Sequence, residues 1–460
     1  MATNDRNMIG EIKRRVSIAA VVERSVELKK IRGGYVGLCP FHTDTEPSFH
    51  VYMDTGRYHC FGCKVKGDVF DFLCEKDGLS FGDALEELAK LAGVELPTRR
   101  QSGADRKTAR LNELLTAASS YYRERLLNDL RAEAARKYLS QRGVTAIGST
   151  MFQLGFAPDC WDELLRYLKE RGYKVAEMVA AGVVARTPKG SYYDHFRGRI
   201  IFPIKGGRGQ VVGFGGRLVG KDGKGPKYLN GPATSLFDKG SVLYGLDLAA
   251  PSVRKVDLAV IVEGYLDAVI AHQQGEGNVV ATLGTALSER HITALAKLTR
   301  HVVLALDGDR AGDVAALTAA ESLRLALEAL AIPATSKLAD GPLAPASIRI
   351  ARLPQGCDPD EVIRRGGGEW GAVLATALPV VEHCFQVAAY RQDLATATGR
   401  VAAESWLTPI VAAVMNDVER NAYVQQLAEL IGTPVSIMRP RVEAARVINL
   451  ERRVRCKETA

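Results

Sequence analysis

The chain has 460 residues, of which 47% are hydrophobic and 25% are charged. These fractions are ordinary for globular proteins and exclude a disordered chain, a collagen-like repeat and a disulfide scaffold. No apolar run approaches the roughly 20 residues that span a bilayer, and the N-terminus lacks the layout of a signal peptide. We therefore expect a soluble, cytoplasmic, multidomain protein with no membrane partner.

The excess positive charge is concentrated in one segment. The chain has 61 Lys and Arg against 53 Asp and Glu, a net charge of +8. Residues 197–255 hold eleven basic and three acidic residues, so this segment alone has a net charge of +8 and the rest of the chain is neutral in sum. A focused positive potential attracts polyanions, although a solubilising face is the alternative. The sequence Gly213-Phe214-Gly215-Gly216-Arg217 favours a ligand, because glycine lets backbone approach it closely.

In chain order, the patterns predict a helix over 5–27, short strands between 35 and 63, and two further helices up to Gly93. A mostly helical stretch and a strand-rich one follow, then apolar strands alternating with helices, which indicate a buried parallel sheet, and finally more helices. The predicted fold is α/β and multidomain. Its parts are a zinc-binding domain (1–96), a linker (97–108), a mixed α+β basic subdomain (109–255), a parallel-sheet domain (256–365), a helical subdomain (366–446) and a basic tail (447–460).

Four residues near the N-terminus have the spacing of a metal site. Cys39 and His42 form Cys-x2-His, and Cys60 and Cys63 form Cys-x2-Cys after a gap of seventeen residues. Two such pairs on tight turns supply four tetrahedral ligands and leave no open position, which predicts one structural zinc ion in a zinc ribbon. Nearby aromatic side chains either stack on single-stranded nucleic acid or fill the ribbon core. For Phe49 and Phe61 the sequence favours neither role over the other.

Carboxylates follow several of the predicted parallel strands. Glu263 follows the strand ending at Val262, Asp307 and Asp309 follow the strand ending at Leu306, and Asp358 and Asp360 follow a third strand. The carboxyl ends of parallel strands share one edge of a sheet, where so many like charges require a cation. Oxygen ligands without His or Cys predict Mg²⁺ or Mn²⁺. Helix capping is the alternative role for Asp358 and Asp360, and a helix start is the alternative for Asp267.

These motifs resemble bacterial DnaG-type primases. Glu263-Gly264-Tyr265-Leu266-Asp267, Asp307-Gly308-Asp309 and Asp358-Pro359-Asp360 are similar to a Toprim signature, and the Cys/His pairs resemble the zinc domain of that family. Phe196-Arg197-Gly198-Arg199 and Pro226-Lys227-Tyr228-Leu229-Asn230 resemble its basic polymerase subdomain. The motifs occur in the family's order from residue 1 to about 446.

The resemblance implies a nucleotidyltransferase, a DNA primase that makes short RNA primers from NTPs on a single-stranded DNA template. It implies that Glu263, Asp307 and Asp309 hold catalytic Mg²⁺ or Mn²⁺, supported by Asp267, Asp358 and Asp360. It also implies that a set of basic and polar side chains binds template, primer or nucleotide, and that the zinc domain helps to select the start site. That set is Arg199, Arg217, Lys227, Tyr228, Asn230 and Lys239.

Two departures and two alternatives accompany this resemblance. His195 and Asp238 stand where the family pattern has Arg and His, and the chain stops near where the family's helicase-binding domain is expected to begin. We therefore expect that domain to be absent, so that a replicative helicase would have to dock elsewhere. The alternative functions are a Toprim nuclease or topoisomerase-like enzyme, and a non-catalytic zinc protein that binds single-stranded DNA.

Overall fold

The computed structural model describes residues 3–42, 44, 46–76, 81–94, 103–220, 225–284, 287–306, 347–354, 356–366, 368–414 and 416–458. The chain divides into two compact units, Met1–Asp105 and Arg106–Ala460. The boundary falls inside the predicted linker of 97–108, whose last residues are already helical because a long helix begins at Gly103.

The first unit is a small antiparallel sheet covered by helices. Its helices are α1 (Thr3–Arg15), α2 (Ile18–Val22), α3 (Val69–Lys76) and α4 (Phe81–Ala92), and its strands are β1 (Lys29–Ile31), β2 (Gly34–Gly37), β3 (Phe49–Tyr52), β4 (Arg57–Cys60) and β5 (Lys66–Asp68). The strands pair in sequence order. The helix predicted over 5–27 is broken in two, because the Ser17 side chain accepts a hydrogen bond from the Ala20 N–H and starts α2.

The second unit begins with helices and continues into an antiparallel sheet. The helices are α5 (Gly103–Asn128), α6 (Glu133–Gln141), α7 (Ala146–Met151), α8 (Glu163–Glu170), α9 (Val175–Ala180) and α10 (Leu246–Val256), and the strands are β6 (Gly155–Ala157), β7 (Val184–Arg186), β8 (Tyr192–Asp194), β9 (Arg199–Lys205), β10 (Val211–Leu218) and β11 (Tyr228–Asn230). Four strands form a sheet in the order β11-β10-β9-β6, and β7 pairs with β8. The first six residues of both β9 and β10 are buried, so this sheet is covered on both faces.

A mainly parallel sheet follows, as the apolar runs predict. Its elements are β12 (Ala259–Val262), α11 (Tyr265–Gln273), β13 (Val279–Ala281), α12 (Glu289–Ala296), β14 (His301–Leu306), β15 (Ser347–Arg352), α13 (Pro359–Arg365), α14 (Glu369–Ala375) and β16 (Leu378–Pro379). The order is β13-β12-β14-β15-β16, and only β16 is antiparallel to its neighbour. All of β12 and β13 is buried, as expected for strands covered on both faces.

The last part of the second unit is helical. It comprises α15 (Val380–Arg391), α16 (Ala397–Ala412), α17 (Asp417–Ile431) and α18 (Val435–Glu458). Phe385, Leu407 and Leu427 of these helices share a buried cluster with Val302 and Ile350 of the parallel sheet. Helix α18 crosses the predicted boundary at 446/447 without a break. No helix in the described ranges is long and apolar enough to cross a membrane. The predicted α/β multidomain class is confirmed.

Candidate functional site

The structure brings the four predicted zinc ligands together. One donor atom from each of Cys39, His42, Cys60 and Cys63 lies within 4.8 Å of the other three. The Cys39 and Cys63 Sγ atoms are 3.8 Å apart, and Cys60 Sγ is 3.9 Å from His42 Nδ1. Zn–S bonds of about 2.3 Å in a tetrahedron place two sulfurs roughly 3.8 Å apart, so the donor set fits zinc. Burial raises the pKa of the Cys39 thiol, and a bound cation would favour its thiolate.

Asp44 and Ser48 orient this donor set, and the spacing argument did not single them out. Asp44 Oδ2 accepts hydrogen bonds from the Cys39 N–H (2.9 Å) and the Ser48 hydroxyl (2.7 Å). Asp44 Oδ1 lies 3.7 Å from His42 Nε2, on the far side of the ring from Cys60. A carboxylate behind a metal-ligating imidazole fixes the orientation of that ring. The Ser48 hydroxyl also lies 3.2 Å from Cys60 Sγ.

The ribbon sheet separates its aromatic side chains between two faces. Phe49 and Tyr58 are buried and stack on each other, which assigns Phe49 to the ribbon core. Phe61 is 50% exposed, and its ring meets the imidazoles of His50 and His59 at 4.9 and 4.5 Å. Strand alternation explains the split, since successive side chains point to opposite faces. His50 and His59 are outside the ligand set within the described residues.

Glu263 occupies the predicted edge of the parallel sheet. Strands β12 and β14 are parallel neighbours with Ile261 opposite Leu304, so Glu263 lies at the level of Leu306. Its side chain is partly exposed. Asp307 and Asp309, the other predicted metal ligands, lie outside the described residues. The convergence of these three side chains therefore stays a prediction, supported by the adjacency of the two strands that precede them.

Asp267 lies at the start of α11, where both of its carboxylate oxygens accept backbone hydrogen bonds. Oδ2 accepts from the Gly264 N–H at 3.0 Å, and Oδ1 accepts from the Asp360 N–H at 3.3 Å. The side chain is buried. These contacts favour the helix-start interpretation of Asp267 and add a connection between α11 and α13.

Asp358 and Asp360 stand at the N-terminus of α13, beside an arginine that the sequence motifs missed. Asp358 occupies the N-cap position but makes no capping hydrogen bond with its side chain. Asp360 is fully buried, and its Oδ2 accepts a hydrogen bond from Arg142 Nη2 at 3.0 Å. Burial raises the pKa of the Asp360 carboxyl, and Arg142 and Arg364 oppose that shift. We call the region formed by Glu263, Asp358 and Asp360 the carboxylate edge.

Two of the predicted nucleic-acid contacts, Arg199 and Asn230, make hydrogen bonds within the protein, and their role in binding stays a prediction. Arg199 is buried, and its Nη1 atom donates to the carbonyl oxygens of Gly216 (3.3 Å) and Pro226 (3.0 Å). The Asn230 side chain donates to the Leu283 carbonyl oxygen at 2.7 Å and accepts from the Tyr265 hydroxyl at 2.5 Å. Both side chains hold strands β10 and β11 in place, and their polar atoms make contacts within the protein.

The other predicted contacts keep accessible groups. Lys227 and Lys239 are exposed, and the Tyr228 side chain is 40% exposed. The Arg217 guanidinium lies 3.9 Å from the centre of the Tyr138 ring and 5.5 Å from that of Tyr228. We call Arg217 of β10, Tyr228 of β11 and Lys227, which directly precedes β11, the basic hairpin. Tyr138 precedes Arg142 by one turn of helix, so the basic hairpin adjoins the carboxylate edge.

The structure shows the surroundings of Asp238 and His195, the two residues that differ from the pattern implied by the resemblance. Asp238 accepts a hydrogen bond from Arg290 at 2.8 Å, and the Lys239 carbonyl oxygen lies 3.2 Å from His291 Nε2. The loop is therefore fixed to the start of α12. His195 is largely shielded from water, and this burial lowers the pKa of its imidazole. The lowered pKa favours the neutral imidazole at the position where the resemblance implies an arginine.

Four family profiles match the chain in order. The CHC2 zinc finger matches residues 4–104, the N-terminal domain of the DNA primase catalytic core 121–250, and the Toprim domain 257–332. The DnaB-helicase binding domain of primase matches residues 381–436. The expectation that a helicase-binding domain is absent is therefore wrong. It failed because the apolar periodicity of residues 366–446 predicts helices but does not distinguish a core subdomain from a docking domain.

Curated relatives are similar over nearly the whole chain. The DNA primase of Pseudomonas aeruginosa is 38% identical over 436 residues, which are 93% of this chain and 63% of that protein. The DNA primase of Escherichia coli O6:H1 is 35% identical over 93% of this chain and 71% of the relative. This chain thus spans somewhat less than two thirds of the Pseudomonas protein.

Solved structures show the same relationship. A DNA primase domain from Pseudomonas aeruginosa superposes with a TM-score of 0.62 at 36% identity, covering 72% of this chain and 99% of that one. The zinc-binding and RNA polymerase domains of the Aquifex aeolicus primase superpose with a TM-score of 0.59 at 30% identity, covering 94% and 98%. A DnaG primase catalytic domain bound to single-stranded DNA gives 0.59 at 34% identity, covering 70% and 99%.

Proposed function

This chain belongs to the family of DnaG-type DNA primases, and from that premise we propose that it synthesises short RNA primers from NTPs on single-stranded DNA. The observation that carries the proposal is the position of the basic hairpin beside the carboxylate edge. Arg217 contacts Tyr138, and Arg142 on the same helix pairs with Asp360. A polyanion held on the basic side would lie next to carboxylates able to hold divalent cations.

The metal ligands in this proposal are Glu263, Asp307 and Asp309. Glu263 is partly exposed at the end of β12, and an all-carboxylate set suits Mg²⁺ or Mn²⁺. When bound, such ions would favour attack by a 3′ hydroxyl and stabilise the leaving pyrophosphate in an in-line displacement. Asp358 and Asp360 add negative charge nearby, and Asp267 holds the start of α11 in position.

The remaining residues hold the template and the nucleotides. Lys227 and Lys239 are exposed cations that would neutralise phosphates, and the accessible face of Tyr228 would contact a base or sugar. Arg199 and Asn230 keep β10 and β11 in place beneath these contacts. We include the zinc-binding unit as a template contact, because Phe61, His50 and His59 form an accessible aromatic surface. The match at residues 381–436 supports a replicative helicase as a partner.

A synthesis assay tests the proposal. Purified chain is incubated with single-stranded DNA, the four NTPs and Mg²⁺ or Mn²⁺, and the products are separated on a denaturing gel. We expect short RNA whose sequence follows the template. Glu263→Gln and Asp307→Ala should abolish this product and leave DNA affinity largely intact, whereas Glu276→Gln, near the other end of α11, should be fully active.

Each alternative has its own outcome in this assay. Shortened DNA would indicate a Toprim nuclease, and a mobility shift without any product would indicate a non-catalytic binding protein. Normal synthesis by Glu263→Gln or Asp307→Ala would contradict the metal assignment. RNA whose sequence is independent of the template would contradict primer synthesis.

A further inference from the structure

Arg142 lies at the end of α6 and connects this helix to the carboxylate edge. It caps the C-terminus of α6, and the next residue, Gly143, has φ +81°, a conformation that glycine adopts readily. From this position Arg142 Nη2 reaches Asp360 Oδ2 at 3.0 Å and Asp358 Oδ2 at 3.9 Å. About a third of the Arg142 side chain is exposed, whereas Asp360 is fully buried.

The turn that carries Arg142 is fixed by hydrogen bonds to α11. The Gln273 amide donates to the Gly143 carbonyl oxygen at 2.7 Å. Gln273 Oε1 in turn accepts from the N–H and the hydroxyl of Thr145, at 3.0 and 3.1 Å. The Gln273 side chain therefore makes hydrogen bonds with three polar groups of the turn. These bonds fix the backbone directly after Arg142.

Asp360 links Arg142 to the backbone next to Glu263, one of the predicted metal ligands. Its Oδ2 also lies 3.8 Å from Arg364, and its N–H donates to Asp267 Oδ1 at 3.3 Å. The second oxygen of Asp267 accepts from the N–H of Gly264, the residue that follows Glu263. A continuous set of contacts thus runs from Arg142 to the backbone beside Glu263.

On its other side, Arg142 adjoins the basic hairpin through Tyr138. Tyr138 lies one helical turn before Arg142, and the Arg217 guanidinium stacks on its ring at 3.9 Å. The Tyr138 hydroxyl also accepts a hydrogen bond from Arg217. A template phosphate drawn to Arg217 would therefore be placed relative to Glu263 through a chain of packed side chains.

We propose that Arg142 is a positioning residue that sets the carboxylate edge against the basic hairpin, and this role rests on the proposed function. Its guanidinium is directed at Asp358 and Asp360, so it acts on the reaction through these carboxylates. Among the described residues, removing it would leave the buried Asp360 with the more distant Arg364 as its cationic partner, which is unfavourable. The catalytic step would slow because the edge shifts, while template binding would persist.

The test compares Arg142→Met and Arg142→Lys with wild type and with Lys137→Met, an exposed neighbour on α6. We expect Arg142→Met to lower kcat roughly 10- to 100-fold, since small misplacements near reacting groups cost that much. The KM for NTPs, the Kd for single-stranded DNA and its salt dependence should not change. Arg142→Lys keeps the charge and should restore much of kcat, and Lys137→Met should match wild type.

Two outcomes would overturn the role. A weaker Kd with a shallower salt dependence in Arg142→Met would make Arg142 a direct template contact. Unchanged kcat in Arg142→Met would show that the edge is set without it. If wild type makes no RNA, the proposed function itself is contradicted. If wild type and Arg142→Met are equally active, the proposed function stands and only the positioning role of Arg142 is contradicted.

A double-mutant cycle with Asp360→Asn, read by denaturant unfolding, tests the contact without any synthesis. The two substitutions together should destabilise the chain less than the sum of their separate effects, because each alone leaves the other group without its partner. Strictly additive effects would contradict the Arg142–Asp360 pair on which the proposal depends.

Discussion

The Tyr265 hydroxyl donates a hydrogen bond to Asn230 Oδ1 at 2.5 Å and so joins the antiparallel sheet to the first helix of the parallel-sheet domain. Tyr265 is buried, and its ring stacks on Phe202 of β9. We expect Tyr265→Phe to lower the free energy of unfolding by about 1–3 kcal/mol, because Asn230 Oδ1 would lose its donor. Denaturant unfolding measures this, with Tyr390→Phe as control because Tyr390 is 87% exposed. Equal stability of both variants would contradict a structural role for the bond.

The zinc site gives a prediction about metal content. Cys60→Ser should lose zinc and impair initiation, since Cys60 is one of four donors in the set. Gly62→Ala should weaken zinc binding as well, because an added Cβ would lie 2.7 Å from His42 Nε2. Metal analysis of the purified chains checks both variants against Cys74→Ser, a cysteine outside the ligand set. Full zinc occupancy in Cys60→Ser would rule out the assignment.

Lys227 is expected to act on the template through its charge. Lys227→Ala should weaken binding of single-stranded DNA and reduce the slope of log affinity against log salt by roughly one contact. Lys255→Ala, which removes an exposed cation at the end of α10, is the matched control. Fluorescence anisotropy at several salt concentrations gives the slope. An unchanged slope for Lys227→Ala would remove it from the set of phosphate contacts.

Arg199 should behave differently from Lys227, although both are basic residues, one in β9 and the other directly before β11. Because Arg199 is buried against the carbonyl oxygens of Gly216 and Pro226, we expect Arg199→Met to lower the free energy of unfolding by about 1–3 kcal/mol. The salt dependence of DNA binding should stay as in wild type. A stable variant with a shallower salt slope would instead support the direct contact that the family resemblance implies.

Acid should destabilise the helical part of the chain through His383. Burial, reinforced by Arg352, lowers the pKa of His383 to about 4, whereas an unfolded histidine titrates near 6.5. The folded state thus favours the neutral ring, and this contribution is present above pH ~6.5 and is lost as pH falls toward ~4. Unfolding midpoints at pH 7 and 5 should differ less in His383→Gln than in wild type, with His301→Gln as control. An identical pH dependence would contradict the effect.

Local spacing predicts much of this site. The Cys/His pairs are short-range patterns on tight turns, and continuous apolar runs indicate buried parallel strands. The role of Arg199 was not predictable in the same way, because β9 is buried on both faces. In such a strand the alternation of side chains between the two faces does not indicate which residues are exposed to solvent. Arg142 was missed because its partner lies 218 positions away, and an arginine before a glycine reads as an ordinary helix end.

The separation of Arg142 and Asp360 has a consequence for how the chain folds. Ribosomes deliver the arginine long before its carboxylate partner, and closing so long a loop is entropically costly until the intervening strands have assembled. The pair should therefore form late, after α6 and the parallel sheet are in place. Nascent chains released before residue 360 would carry the parallel strands β12 to β15 without the contact that completes the carboxylate edge.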